Sequence, residues 1–163
     1  FVITQGGIFV LDVLKKEITG RYWKNGKGKY LLPFDKLFHA HRDEDGSIWL
    51  ATKNQGLVHF HPEKIGFEQF TQLDGLANNV LYAIYGDDFG NLWSSSDYGI
   101  IRFNKATKIA SSFQTQAGIT HNEFNRVSHY QAEDGTIFFG SLKFEVGSPP
   151  PLPRHLVSYP SKS

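Results

Sequence analysis

The sequence predicts an all-β fold, a β-propeller fragment of about three four-stranded antiparallel blades. Three observations predict it. First, an acidic, glycine-bearing turn feeds an apolar aromatic strand three times, as "DEDGSIWLAT" (43–52), "DDFGNLWSSS" (87–96) and "AEDGTIFFGS" (132–141). Second, the turn glycines Gly46, Gly90 and Gly135 recur at intervals of 44 and 45 residues, and Trp49, Trp93 and Phe138 keep the same intervals. A period near 44 is too long for most helical repeats and fits a four-stranded blade. Third, strands such as "SIWLA" and "TIFFG" are apolar on both sides, so both of their faces must be covered. A blade sandwiched between its neighbours meets that requirement.

The elements follow in order. "GIFVLD" (7–12) matches the later "GLVHFH" (56–61) and "GIIRFN" (99–104), so residues 1–35 read as a partial repeat. In "KNGKGK" (24–29) the glycines and lysines predict a solvated hairpin tip; the stretch lacks the strand–helix context of a phosphate loop. Repeat 36–79 carries "LFHAHR", "SIWLAT", "LVHFH" and "FEQFT". Repeat 80–124 carries "LYAIYG" (81–86), "NLWSSS" (91–96), "IIRFN" (100–104) and "IASSFQT" (109–115). Gly, Asp or a short polar loop joins each pair of strands, as tight antiparallel connections require. Residues 125–142 begin a further repeat. Residues 143–163, with "PPPLPR" at 149–154, read as an irregular Pro-rich tail. Within the repeats, Trp49, Trp93 and Phe138 are expected to be core residues held between blades.

Composition narrows the function. Seventeen basic and 16 acidic residues balance to +1, without the clustered cations of a nucleic-acid footprint. No apolar run reaches the length of a membrane span, and no signal peptide is visible. Without cysteine there is no disulfide framework and no thiolate chemistry. The chain starts at Phe1 and contains no methionine, so it is expected to be part of something longer. Open blade edges would then favour self-association.

Candidate chemistry is sparse. The pairs His39/His41 and His59/His61 each point to one strand face, but they fall on the first and third strands of one blade. Strand spacing puts those strands about 10 Å apart, too far to share one tetrahedral ion. They read as strand-face histidines, and no metal or cofactor is expected. The carboxylates Asp43, Asp45, Asp87, Asp88, Glu133 and Asp134 sit in equivalent turns and read as turn formers; they do not form a converging acid–base pair. The inter-blade loops and the loops between second and third strands open on one end of a propeller, and function concentrates on such loops. That end carries Lys53, Asn54, Gln55, Asn78, Asn79, Asp97, Tyr98, His121, Asn122 and Glu123, a polar set suited to a glycan or another polar small molecule.

"DEDGSIWLATKNQGLVHFHP", "DDFGNLWSSSDYGIIRFN" and "THNEFNRVSHYQAEDGTIFFG" resemble two-component regulator propeller repeats, the last resembling a terminal repeat. The resemblance covers about residues 2–141. Two stretches depart from it: "SSS" (94–96) stands where the repeats have Gly-Thr, and no Gly-Phe continuation follows "FFGSL". The resemblance implies a non-catalytic, ligand-sensing segment of a periplasmic or extracellular receptor domain. Further blades and a histidine kinase would lie elsewhere in the full-length protein. Two alternatives come from other classes. A propeller lyase of the streptogramin-lyase type would place a metal near His121 and Glu123. An interaction scaffold would show a broad apolar or charged patch.

Overall fold

The computed structural model describes residues 1–142 except Gln5, Pro33, Asp35, Ile65 and Thr120, together with the backbone of Leu156–Pro160. Its regular structure is all strand apart from three single 3-10 turns. The first sheet contains β1 (Val2–Thr4), β2 (Gly7–Asp12) and β3 (Glu17–Tyr22). The second is β4 (Leu37–Arg42), β5 (Ile48–Thr52), β6 (Leu57–Phe60) and β7 (Phe67–Phe70). The third is β8 (Leu81–Gly86), β9 (Asn91–Ser96), β10 (Gly99–Asn104) and β11 (Ala110–Phe113). In these three sheets the strands pair antiparallel in chain order.

The fourth sheet differs. β12 (Phe124–Gln131) and β13 (Ile137–Ser141) form the expected hairpin, but the next strand, β14 (Leu156–Pro160), runs parallel to β13. Part of the segment expected to be irregular therefore occupies the position that β6 and β10 hold in the complete sheets. "PPPLPR" lies outside the described residues. The expected "about three" blades resolve into two complete four-stranded sheets flanked by two three-stranded ones.

The sheets stack face to face in chain order, with β4, β8 and β12 side by side on the inner side and β1, the counterpart of β5 and β9, against β4. This is the arrangement of successive propeller blades. Three apolar clusters fill the junctions. Ile8 and Tyr22 of the first sheet pack on Leu50, Val58 and Phe60 of the second. Trp49, Ala51 and Leu57 pack on Leu92, Ile101 and Phe103 of the third. Trp93 and Ile100 pack on Phe124, Ile137 and Phe139 of the fourth. The two-sided strand β5 is buried at every position, as its pattern predicts.

One core expectation needs correcting. Trp49 and Trp93 are buried at 1% and 7% exposure, but Phe138 is only half-buried. It faces away from the third sheet, and no described sheet covers it; its neighbour Phe139 takes the buried place. The stretch 24–29 also departs from a simple hairpin tip. It folds back through hydrogen bonds from Trp23 N to Tyr30 O (3.1 Å) and from Leu32 N to Trp23 O (3.1 Å), around the 3-10 turn Gly28–Tyr30.

Candidate functional site

A hydroxyl closes each of β1, β5 and β9 onto the turn that follows. Thr4 Oγ1 donates to Gly7 O (3.1 Å), Thr52 Oγ1 to Gly56 O (2.8 Å) and Ser96 Oγ to Gly99 O (2.9 Å). Each also accepts a backbone N–H from within its turn. Ser96 thus does the work of threonine in the "SSS" stretch. Gly56 and Gly99 have positive φ, and a Cβ there would meet a carbonyl oxygen at 2.1 and 2.2 Å. Only glycine lets the chain pass so close.

Those turns are fastened to the inter-sheet links. Gly56 N donates to Asn79 O (2.9 Å) and Gly99 N to Asn122 O (2.6 Å). The same asparagines use Oδ1 to accept Gln72 N (2.8 Å) and Thr115 N (2.9 Å). Asn78 Oδ1 and His121 Nδ1 accept the N–H two residues ahead, from Val80 and Glu123. The loop end therefore consists of two copies of one scaffold, 43 residues apart. Gln55 is bound through its carbonyl and Oε1 to Gln69 Nε2, and Asp97 accepts the Tyr82 hydroxyl.

The ten predicted site residues accordingly fall into two stations. Lys53, Asn54 and Gln55 join Asn78 and Asn79; Asp97 and Tyr98 join His121, Asn122 and Glu123. Lys53, Asn54, Tyr98 and Glu123 are exposed, whereas Asn78, Asn79, Asn122 and His121 spend polar atoms on the backbone.

Between the stations lies a feature that sequence reasoning missed. Phe38, Tyr82 and Arg126 recur 44 residues apart on β4, β8 and β12, and that interval was the available signal. The Arg126 guanidinium lies 5.0 Å from the Phe38 ring centre, and Phe38 and Tyr82 are 5.8 Å apart. Burial, and then the bond to Asp97, push the Tyr82 phenol pKa well up. Phe38 and Arg126, with Ile3, Thr4, Leu37, Val127 and His129, line a cleft of about 350 Å³ on the inner side.

Deeper on the inner strands, His39 and His129 meet edge to face at 4.7 Å. Tyr85 Oη lies 2.7 Å from His129 Nδ1, and His39 Nδ1 lies 3.0 Å from Ile84 O. Burial, and then the neighbouring His129, hold the His39 pKa down to about 4. Burial also lowers the pKa values of His41 and His129. At neutral pH this group is uncharged.

His59 and His61 have structural partners. His59 stacks on Trp49 at 3.9 Å and lies 3.2 Å from Glu68, while His61 Nδ1 accepts Glu63 N. Among the described residues, no three His, Cys, Asp or Glu side chains are placed to hold a metal ion. Asp45 and Asp134 accept Ser47 N and Thr136 N within their turns. Asp43 and Asp87 do more than form turns. They accept the indole N–H of Trp49 (3.2 Å) and Trp93 (2.8 Å), six residues ahead.

Comparison with known proteins agrees with the fold. No family model matches the chain. A 69-residue stretch is 30% identical to Histidine kinase P4 of Formosa agariphila, covering 42% of this chain and 5% of that protein. The extracellular domain assigned to a hybrid two-component system of B. thetaiotaomicron superposes with a TM-score of 0.64 at 21% identity. That match covers 83% of this chain and 18% of the other. A second extracellular domain of such a system from the same organism gives 0.66 at 17% identity, covering 85% and 20%. The chain thus has the fold of extracellular domains of two-component sensors and spans about a fifth of those chains. No helix among the described residues is long and apolar enough to cross a membrane.

Proposed function

We propose that this chain is a segment of the extracytoplasmic, ligand-sensing propeller of a two-component receptor, and that it binds a polar ligand, an oligosaccharide above all, at its loop end. The observation that carries this reading is the pair of matched loop stations. Asn79 and Asn122 fasten turn to link in the same way twice, so exposed Asn54 and Tyr98 are presented on rigid mounts, and preorganised groups bind at lower entropic cost. The stretch related to a histidine kinase and the fold of sensor domains support the same reading. The segment itself catalyses nothing and serves no nucleic acid. Binding would shift the balance between receptor states.

Titration calorimetry of the full-length receptor's propeller against an oligosaccharide panel, with and without EDTA, tests this. Saturable binding that ignores EDTA and weakens at least tenfold in Tyr98→Ala or Asn54→Ala is expected. Metal-dependent turnover of a substrate, or a panel with no binder, would overturn the reading.

A further inference from the structure

The loop end carries a pair of like charges that the following sheets do not repeat. Leu37 and Thr52 face each other at the end of the β4–β5 ladder, and Lys53 N donates to Lys36 O (2.9 Å) one step beyond. Lys36 and Lys53 therefore stand directly opposite each other, in a backbone-bonded pair of the kind whose Cα atoms are about 5.5 Å apart. Both residues are exposed. Like charges placed directly opposite weaken the sheet that carries them. Neither lysine has an ion-pair partner among the described residues.

The same place is filled differently in the next two sheets. Leu81 faces Ser96 in the third, so the pair beyond is Val80 and Asp97. Phe124 faces Ser141 in the fourth, and the bond from Leu142 N to Glu123 O (3.1 Å) makes that pair Glu123 and Leu142. The fold therefore does not ask for cations at this point of a sheet. The first station gathers two ammonium groups, whereas the second has two carboxylates, one of them engaged by Tyr82. The lysine pair stands on a complete sheet that packs on a neighbour at each face. Beside it lies exposed Asn54, in the turn that the Thr52 hydroxyl closes.

We infer that Lys36 and Lys53 hold an anionic group of the ligand, and that the oligosaccharide bound at this end is an acidic one, bearing a carboxylate or a sulfate ester. This rests on the reading of the loop end as an oligosaccharide site and adds the chemical class. An anion between the two ammonium groups turns their repulsion into two charge-assisted contacts, so a cost carried by the free protein is relieved on binding. Lysine is a flexible point charge without the planar fork of arginine, so either kind of anion suits it. Asn54 offers both a donor and an acceptor to neighbouring sugar hydroxyls.

Calorimetry on the full-length receptor's propeller with matched trisaccharides tests this, the arms being trigalacturonate, a sulfated galactotriose and neutral galactotriose. An acidic arm is expected to bind about tenfold or more tighter than the neutral one, an advantage that shrinks as salt rises. Lys36→Gln and Lys53→Gln should each reduce that advantage, and the double substitution should abolish it. The advantage is a ratio within one variant, so a general loss of folded protein cannot imitate the result. Each single substitution should also leave the melting temperature of the unliganded protein unchanged or higher, because it removes a repulsion. The tighter of the two acidic arms identifies the anionic group. Equal binding of acidic and neutral arms, an advantage that survives the double substitution, or failure of both acidic arms while a neutral sugar of the wider panel binds would overturn the inference and leave the oligosaccharide reading standing. A panel without any binder would overturn both.

Discussion

At the scale of single residues, the most informative feature is a carboxylate six positions before a tryptophan. Asp43 and Asp87 each accept the indole N–H, which would otherwise be buried without a partner. In the third occurrence Phe138 replaces the indole and Ala132 stands where the carboxylate would be: the donor and its acceptor are absent together. Asp43 also takes both contacts from Lys105 Nζ, at 2.7 and 2.8 Å, tying the second sheet to the third. Burial opposes its ionisation, but Lys105 and Trp49 outweigh it and hold the carboxyl below its ordinary range. Asp43→Ala is therefore expected to cost about 1–3 kcal/mol, and Trp49→Ala about 3–5 kcal/mol, by denaturant titration. Asp43→Ala should cost less in a Trp49→Phe background, which has no indole to satisfy.

The inner histidines add a pH dependence at the same scale. His39 has a folded pKa near 4 against an ordinary 6.5, so the unfolded chain binds more protons between those values. Stability should be fully present above about pH 6.5 and decline as pH falls toward 4, by linkage. Thermal melts across that range should show the decline, and His39→Gln should flatten it. An unchanged slope in the variant would assign the effect to His41 or His129.

At the scale of elements, the turn that joins second to third strand governs local order. Its hydroxyl, its glycine and the asparagine link recur with the same bonds in two sheets. Gly56→Ala and Gly99→Ala must both adopt positive φ and displace a carbonyl oxygen, so each should cost more than about 1 kcal/mol. Ser96→Thr should be neutral and Ser96→Ala should cost about 1 kcal/mol, since only the hydroxyl is used. Chemical denaturation separates these cases. Strand positions and turn glycines were legible in the sequence because short apolar runs and the glycine turns that bound them are local properties. The parallel β14 was not: nothing near 156–160 specifies a partner strand 19 residues earlier in the chain.

At the scale of the whole molecule, stability is distributed unevenly. Among the described residues, the second and third sheets are covered on both faces, while the first and fourth each pack on one neighbouring sheet. Stacked units of this kind are stabilised by their intrinsic terms and nearest-neighbour contacts. Amide exchange should therefore be slowest in β5 and β9 and fastest in β3, with opening from the ends inward. Equal protection in all four sheets would mean that the ends are covered in solution.

By itself the sequence determined the order of strands in the two complete sheets, the 44-residue spacing, and which aromatics two of the junctions would bury. Those follow from turn chemistry and short apolar runs, which act between residues close in the chain. It also put the ten loop residues at one end. Only the tertiary structure decided which of them are occupied as fasteners, that Phe38 and Arg126 share one inner cleft with Tyr82 beside Phe38, and that Phe138 is half-buried. Each of those depends on contacts between sheets, made by residues some 44 positions apart or more, and the distance between two such side chains is set by how the sheets stack.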